Sequence, residues 1–174
     1  MKKKWTTQTG FTIAEMMVTL LIFMVMIGGI YALMLAGDAS WQANRTQIEL
    51  RQELRKGMDW MKDELRQSGG VAINISSDDS WNTAIEFQTS VGAVGGVTQW
   101  SANVTRFEVG GTGTQLIRTS GGTARVLAQD IASVRFRRQS TTPDVVDIEL
   151  IASRNNSRLG VMTETLNFNV QMRN

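Results

Sequence analysis

Three places in this 174-residue chain hold residue types that could do chemistry. The first is Glu15, an acid just behind the pair Gly10-Phe11 at the mouth of an apolar run. A carboxylate within an apolar layer costs about 3 kcal/mol even on lenient insertion scales, so it calls for a partner. The second is the pair Asp78-Asp79 in "SSDDSW". Its oxygens suit calcium, but two adjacent acids fall well short of the roughly six to eight ligands that ion takes, and a polar turn is expected. The third is "RFRRQ" (135–139), which puts Arg135, Arg137 and Arg138 on a strand, with Trp81 and Trp100 available to stack on bases. DNA capture is one use of such a set. A solvent-facing strand lined with arginine is the plainer one, and it is the expectation.

Other chemistry lacks its parts. "VGAVGGV" (91–97) has neither the lysine nor the following Ser or Thr of a phosphate-binding loop. The chain contains no histidine and no cysteine, which removes the commonest general base, the usual zinc ligands and any disulfide. No serine or acid pair comes with a base. An enzyme, a cofactor and a bound metal are therefore not expected.

The elements that would position these residues follow from periodicity. Met16 to Ala36 is a run of 21 uncharged residues. As a helix it reaches about 30 Å, the thickness of a bilayer's hydrocarbon. Lys2, Lys3 and Lys4 before it and Asp38 after it orient the segment with its N-terminus in the cytoplasm and the rest of the chain outside. Those lysines also explain the formal charge of +2, since without them 15 basic residues face 16 acidic ones. A pI near 9.3 then says little about nucleic acid. The run is longer than a signal peptide's core and lacks a good A-x-A ending. A plain anchor explains its length but leaves Glu15 unexplained.

Beyond the span, residues 38–68 continue as a helix. Leu50, Leu54, Met58, Met61 and Leu65 recur at helical spacing and form one stripe, predicted to pack on a sheet. Trp41 and Ile48 fall on the opposite side. Gly69-Gly70 is predicted to end the helix. The remainder is rich in Gly, Ser, Thr and Val, and its apolar residues alternate, as in "SVRFRR", "DVVDIELIAS" and "TLNFNVQM". Antiparallel strands are also expected at "TAIEFQT", "VTRFEV", "TQLIRT" and "ARVLAQ", with turns at Gly110-Gly111 and Gly121-Gly122. The stretch 90–100 looks like an irregular glycine-rich loop.

"GFTIAEMMVTLLI" (10–22) resembles the class III signal of type IV pilins and type II secretion pseudopilins. The resemblance implies that a prepilin peptidase cuts after Gly10, that Phe11 becomes the N-methylated terminus, and that Glu15 is the conserved acid, fifth in the mature chain. The new amine on Phe11 of one subunit can then meet Glu15 of its neighbour. In low dielectric such a pair mostly offsets its desolvation, so its role would be to fix axial register. "ELRQSGG", "QLIRTSGGTARVLAQDIASVRFRR" and the terminal "LNFNVQMRN" are similar to the J-type pseudopilin and the W-type minor pilin. This implies an α+β fold with a leader (1–10), a transmembrane helix (11–37) and a periplasmic domain (38–174). It also implies a place in the tip or initiation complex of a pseudopilus or pilus at the inner membrane. Other minor and major pilins, prepilin peptidase and the membrane are the partners implied, and nucleic acid is not among them. An adhesive or DNA-binding minor pilin is the alternative. Major pilins often carry a proline in the outer half of this helix. Here the only proline is Pro143, and Gly28-Gly29 is either a weak point where the span bends or a place for close helix packing in the membrane.

Overall fold

Leu50, Leu54, Met61 and Leu65 are each no more than 2% exposed, so the stripe predicted from their spacing is a buried one. They belong to α1 (Ile13–Leu65), the one helix of a computed structural model that describes residues 10–156 and 160–172. The architecture is α+β: among the described residues nine strands follow the helix, all paired antiparallel. The chain divides into two compact units, Met1–Gln42 and Ala43–Asn174. Within the first, the described residues of the apolar run are exposed throughout, and α1 continues through Gly28 and Gly29 without a break. Among the described residues α1 alone is long and apolar enough to cross a membrane, which fits a single-pass anchor.

The second unit holds two sheets rather than one. The larger contains β1 (Ser68–Ile73), β2 (Ala84–Val94), β4 (Thr105–Gly110), β5 (Gln115–Ser120) and β6 (Thr123–Gln129) in that order, with β3 (Val97–Trp100) added to the end of β2. The smaller runs β7 (Ile131–Arg138), β8 (Val145–Asn156), β9 (Gly160–Gln171). Asp130 makes the division. It sits in the left-handed region at φ 57° between β6 and β7, and Arg154 of β8 holds its carboxylate at 2.6 Å. The alternating side chains Ile85, Phe87, Phe107, Leu116, Phe136, Ile148 and Leu150 supply one core shared by both sheets.

Residues 46–65 of α1 cover that core. The buried set on the helix is Thr46, Leu50, Leu54, Gly57, Met61 and Leu65, so the stripe passes through Gly57 and leaves Met58 half-buried at its margin. Space decides this. A Cβ on Gly57 would lie 2.9 Å from Leu116 Cδ2 and 3.3 Å from Leu150 Cδ2, one from each sheet. Polar groups flank the seam: Glu64 accepts from Arg118 at 2.6 Å, Glu53 from the Gln129 amide at 2.7 Å, and Glu164 from Gln47 at 2.5 Å.

Two expectations are corrected. Gly69-Gly70 does not terminate the helix but lies in β1. The stop is made by Ser68, whose buried hydroxyl donates to the Leu65 carbonyl at 2.7 Å. Gly70 is needed for close approach, since a Cβ there would fall 3.1 Å from Asp144 Oδ1. The stretch 90–100 is ordered as the β2–β3 hairpin, turned by Gly95 and Gly96 at φ 60° and 81°. Positive φ at both central residues is what a tight hairpin requires, and only glycine supplies it cheaply.

The carboxylates that tie these elements also set the acid sensitivity of the unit. Glu49 lies below the ordinary carboxylate value of 4.5, first through hydrogen bonds from Arg154 and Arg45. Glu164 is lowered by Gln47 and Arg51, and Asp79 by Ser140. A depressed carboxylate stabilises the fold fully above its unfolded value and loses that contribution as pH falls through its folded one. The urea midpoint should therefore be level from pH 7 to about 5 and fall below about 4.5. A combined Glu49→Gln and Glu164→Gln variant should show a shallower fall over the same window.

Candidate functional site

Thr12 and Glu15 close on each other at the start of α1. Glu15 Oε2 accepts from the Thr12 amide at 2.9 Å and from its hydroxyl at 3.1 Å, while Thr12 Oγ1 accepts from the Glu15 amide at 3.2 Å. The Thr12 carbonyl takes the first helical bond, from the Met16 amide at 3.2 Å. This is a capping box, with Thr12 as N-cap and Glu15 three residues on, and it satisfies two amides that an N-terminus otherwise leaves unpaired. The signal "TIAE" was present in the sequence. One turn further, the Thr19 hydroxyl donates to the Glu15 carbonyl at 2.7 Å, so that polar group is also satisfied within the helix.

Gly10 and Phe11 lie immediately ahead of the box. Phe11 is 82% exposed, and a Cβ on Gly10 would meet nothing within 4 Å. Nothing in the fold of this chain requires glycine there. The three residues read as a site thus fall within six positions, 10–15, from the stretch ahead of α1 into its first turn, with Glu15 bonded to Thr12. Residues 1–9, including Lys2, Lys3 and Lys4 of the expected leader, lie outside the described residues.

The other candidates are placed differently. Asp79, at φ 63°, accepts from the Ser140 hydroxyl at 2.7 Å, and Asp78 from the Ser80 amide at 3.0 Å. Among the described residues no three His, Cys, Asp or Glu side chains gather as a metal site. Arg135 pairs with Glu149, and Arg137 with Asp147 at 2.9 Å. Trp81 stacks over both guanidiniums, at 5.5 and 4.7 Å from its ring centre. Arg138 is 8% exposed and donates to the carbonyls of Pro143 and Ile75. Trp100, in the β2–β3 hairpin, lines an open cavity with Arg138 and is not among the ring contacts of Arg135 and Arg137. Arg135 and Arg137 are thus paired with acids of their own sheet, and Arg138 is held by backbone carbonyls.

Residues 5–31 match the family model of the prokaryotic N-terminal methylation motif. They carry a type IV pilin-like prepilin signal. The matched stretch contains Gly10, Phe11, the capping box and the first turns of α1. It supports a type IV pilin-like protein of a pilus or pseudopilus. No curated protein matches the chain.

Proposed function

We propose that this chain is made as a precursor, cut between Gly10 and Phe11 by a prepilin peptidase, methylated on Phe11, and assembled as a minor subunit of a pseudopilus or pilus. The prepilin signal at residues 5–31, running directly into α1, is the observation that carries this reading. Residues 1–10 are the leader, 11–37 the transmembrane helix, and 38–174 a periplasmic domain anchored in the inner membrane. The similarity of the second half to the J-type pseudopilin and the W-type minor pilin favours a priming role at the filament tip. Its partners are other minor and major pilins. The paired state of Arg135 and Arg137 argues against the DNA-binding alternative.

Within this reading Glu15 has two jobs that substitution can separate. Its charge meets the Phe11 amine of a neighbour, and its hydrogen bonds cap its own helix. Gln also serves at the third position of a capping box but carries no charge. Glu15→Gln and Glu15→Ala should both insert and be processed, and both should lower co-purification with partner subunits from native membranes by about tenfold. Full assembly of Glu15→Gln beside a defective Glu15→Ala would show that capping, and not charge pairing, is what assembly needs.

A further inference from the structure

β1 leaves the regular ladder where it passes Arg138. Ser68 pairs with Thr89 and Ile73 with Phe87, so four residues of β1, 69–72, stand opposite Gln88 alone. Bulges re-aim the chain and gather beside sites, where they end regular pairing. This one borders a cavity of about 560 Å³ among β1, β3 and the turn from β7 to β8, with Gly70, Val71, Val97, Trp100, Arg138 and Asp144 on its walls. All of them lie in the second unit, so the site is independent of how residues 5–31 are processed.

Two kinds of wall meet in this cavity. Val71 and Val97 are exposed apolar side chains, at 88% and 64%. Arg138 is the opposite case, a charged residue with 8% of its surface exposed. Its Nε donates to the Pro143 carbonyl at 2.8 Å and its Nη1 to the Ile75 carbonyl at 3.0 Å, which fixes the guanidinium plane. Nη2 has no hydrogen-bond partner among the described residues, and it lies 3.3 Å from the place a Cβ on Gly70 would take. Asp144 Oδ1 lies 3.1 Å from the same place. Gly70 is not in the left-handed region, so its backbone does not demand glycine. The absent side chain instead keeps open a gap with a fixed donor on one side and an acceptor on the other.

The gap selects its ligand by charge and by shape. One guanidinium and one carboxylate leave it neutral, so an anion there meets Asp144 and a cation meets Arg138. A secondary amide answers both groups: its carbonyl accepts from Nη2, and its N–H donates to the carboxylate, which has lone pairs for several donors at once. The valines and the Trp100 ring suit a small apolar substituent on that amide. An extended peptide fits poorly, because an added strand needs evenly spaced backbone partners and the bulge at 69–72 breaks their spacing. We infer that this cavity binds a compact neutral ligand through an acetamido group, as carried by an N-acetylated amino sugar or an N-acetylated amino acid. The acetyl methyl rests on Val71 and Val97, and the amide spans Arg138 and Asp144.

The test uses the full chain, isotope-labelled, in micelles of a detergent without a sugar headgroup. Diacetylchitobiose, cellobiose and N-acetyl-L-valinamide are titrated in turn, and resonances are followed residue by residue. Cellobiose has the same linked rings as diacetylchitobiose but hydroxyls in place of acetamido groups. An acetamido compound is expected to give saturable shifts at the amides of 69–71 and at the Trp100 indole N–H, and cellobiose to bind about tenfold more weakly or worse. Tighter binding of diacetylchitobiose makes the carrier an amino sugar, and tighter binding of acetylvalinamide makes it an acylated amino acid. Gly70→Ala puts a methyl group into the gap and should weaken the tighter compound by about tenfold while keeping a cooperative urea transition. Trp100→Ala should weaken it by about threefold. The proposal is overturned if neither acetamido compound shifts these resonances, if cellobiose binds as tightly, or if either variant binds as tightly as the unmodified chain.

Discussion

Valine in place of Gly10 is expected to leave the precursor uncut. N-terminal sequencing of the variant from membranes should return Met1, and of the unmodified chain Phe11. The effect should be close to all-or-none, because a peptidase that accepts glycine at its cleavage position must close around a residue with no side chain. A branched Cβ there blocks approach to the scissile bond itself. The folded chain offers no competing explanation. A Cβ at Gly10 meets nothing within 4 Å, and the residue precedes the capping box rather than forming part of it. The urea midpoint of the variant should therefore equal that of the unmodified chain while processing is lost. The uncut chain also lacks a free amine at Phe11, so its Glu15 has no cationic group to meet and assembly should fail with it. Sequencing that still finds Phe11 would overturn the assignment of Gly10, whatever the assembly result.

Much of this architecture was legible because it rests on local periodicity. The spacing of Leu50, Leu54, Met61 and Leu65 predicted the buried face of α1, and alternation located the strands from Ala84 to Gln171 apart from β3. What escaped depends on contacts distant in sequence. Gly69-Gly70 resembles a helix stop, but Ser68 already supplies the bond to the Leu65 carbonyl, and Gly70 is free to let β1 pass close to Asp144. The division into two sheets rests on Asp130 and its tie to Arg154, 24 residues later, which no periodicity records. The hairpin at 90–100 was obscured because Gly92, Ala93, Gly95 and Gly96 dilute the alternation that marks a strand. At the N-terminus the opposite holds. The motif residues Gly10, Phe11 and Glu15 stand out in the sequence, and "TIAE" within the same motif also encodes the capping box.

Gly57→Leu should be the most destabilising single change in the second unit. A glycine inside a helix ordinarily weakens it by about 1 kcal/mol relative to alanine, so its presence in α1 needs a compensating gain. That gain is proximity to both sheets: Leu116 on one and Leu150 on the other would lie 2.9 and 3.3 Å from an added Cβ, with Ala128 at 3.5 Å. Leucine must force these groups apart at the point where one helix bridges two sheets, and overpacking of this kind costs about 3 kcal/mol. Against a typical stability of about 5–15 kcal/mol, that is a large fraction of the whole. The melting temperature should fall by about 10 °C, with a parallel drop in the urea midpoint. Gly57→Ala separates sterics from propensity. Its two tight contacts, at 2.9 and 3.3 Å, are with the side-chain ends of Leu116 and Leu150, which need shift by only a few tenths of an ångström, and the gain in helix propensity offsets that crowding, so it should stay within about 1 kcal/mol of the unmodified chain. A leucine variant as stable as the alanine one would mean that the helix does not rest on this seam, and that the shared core is closed elsewhere.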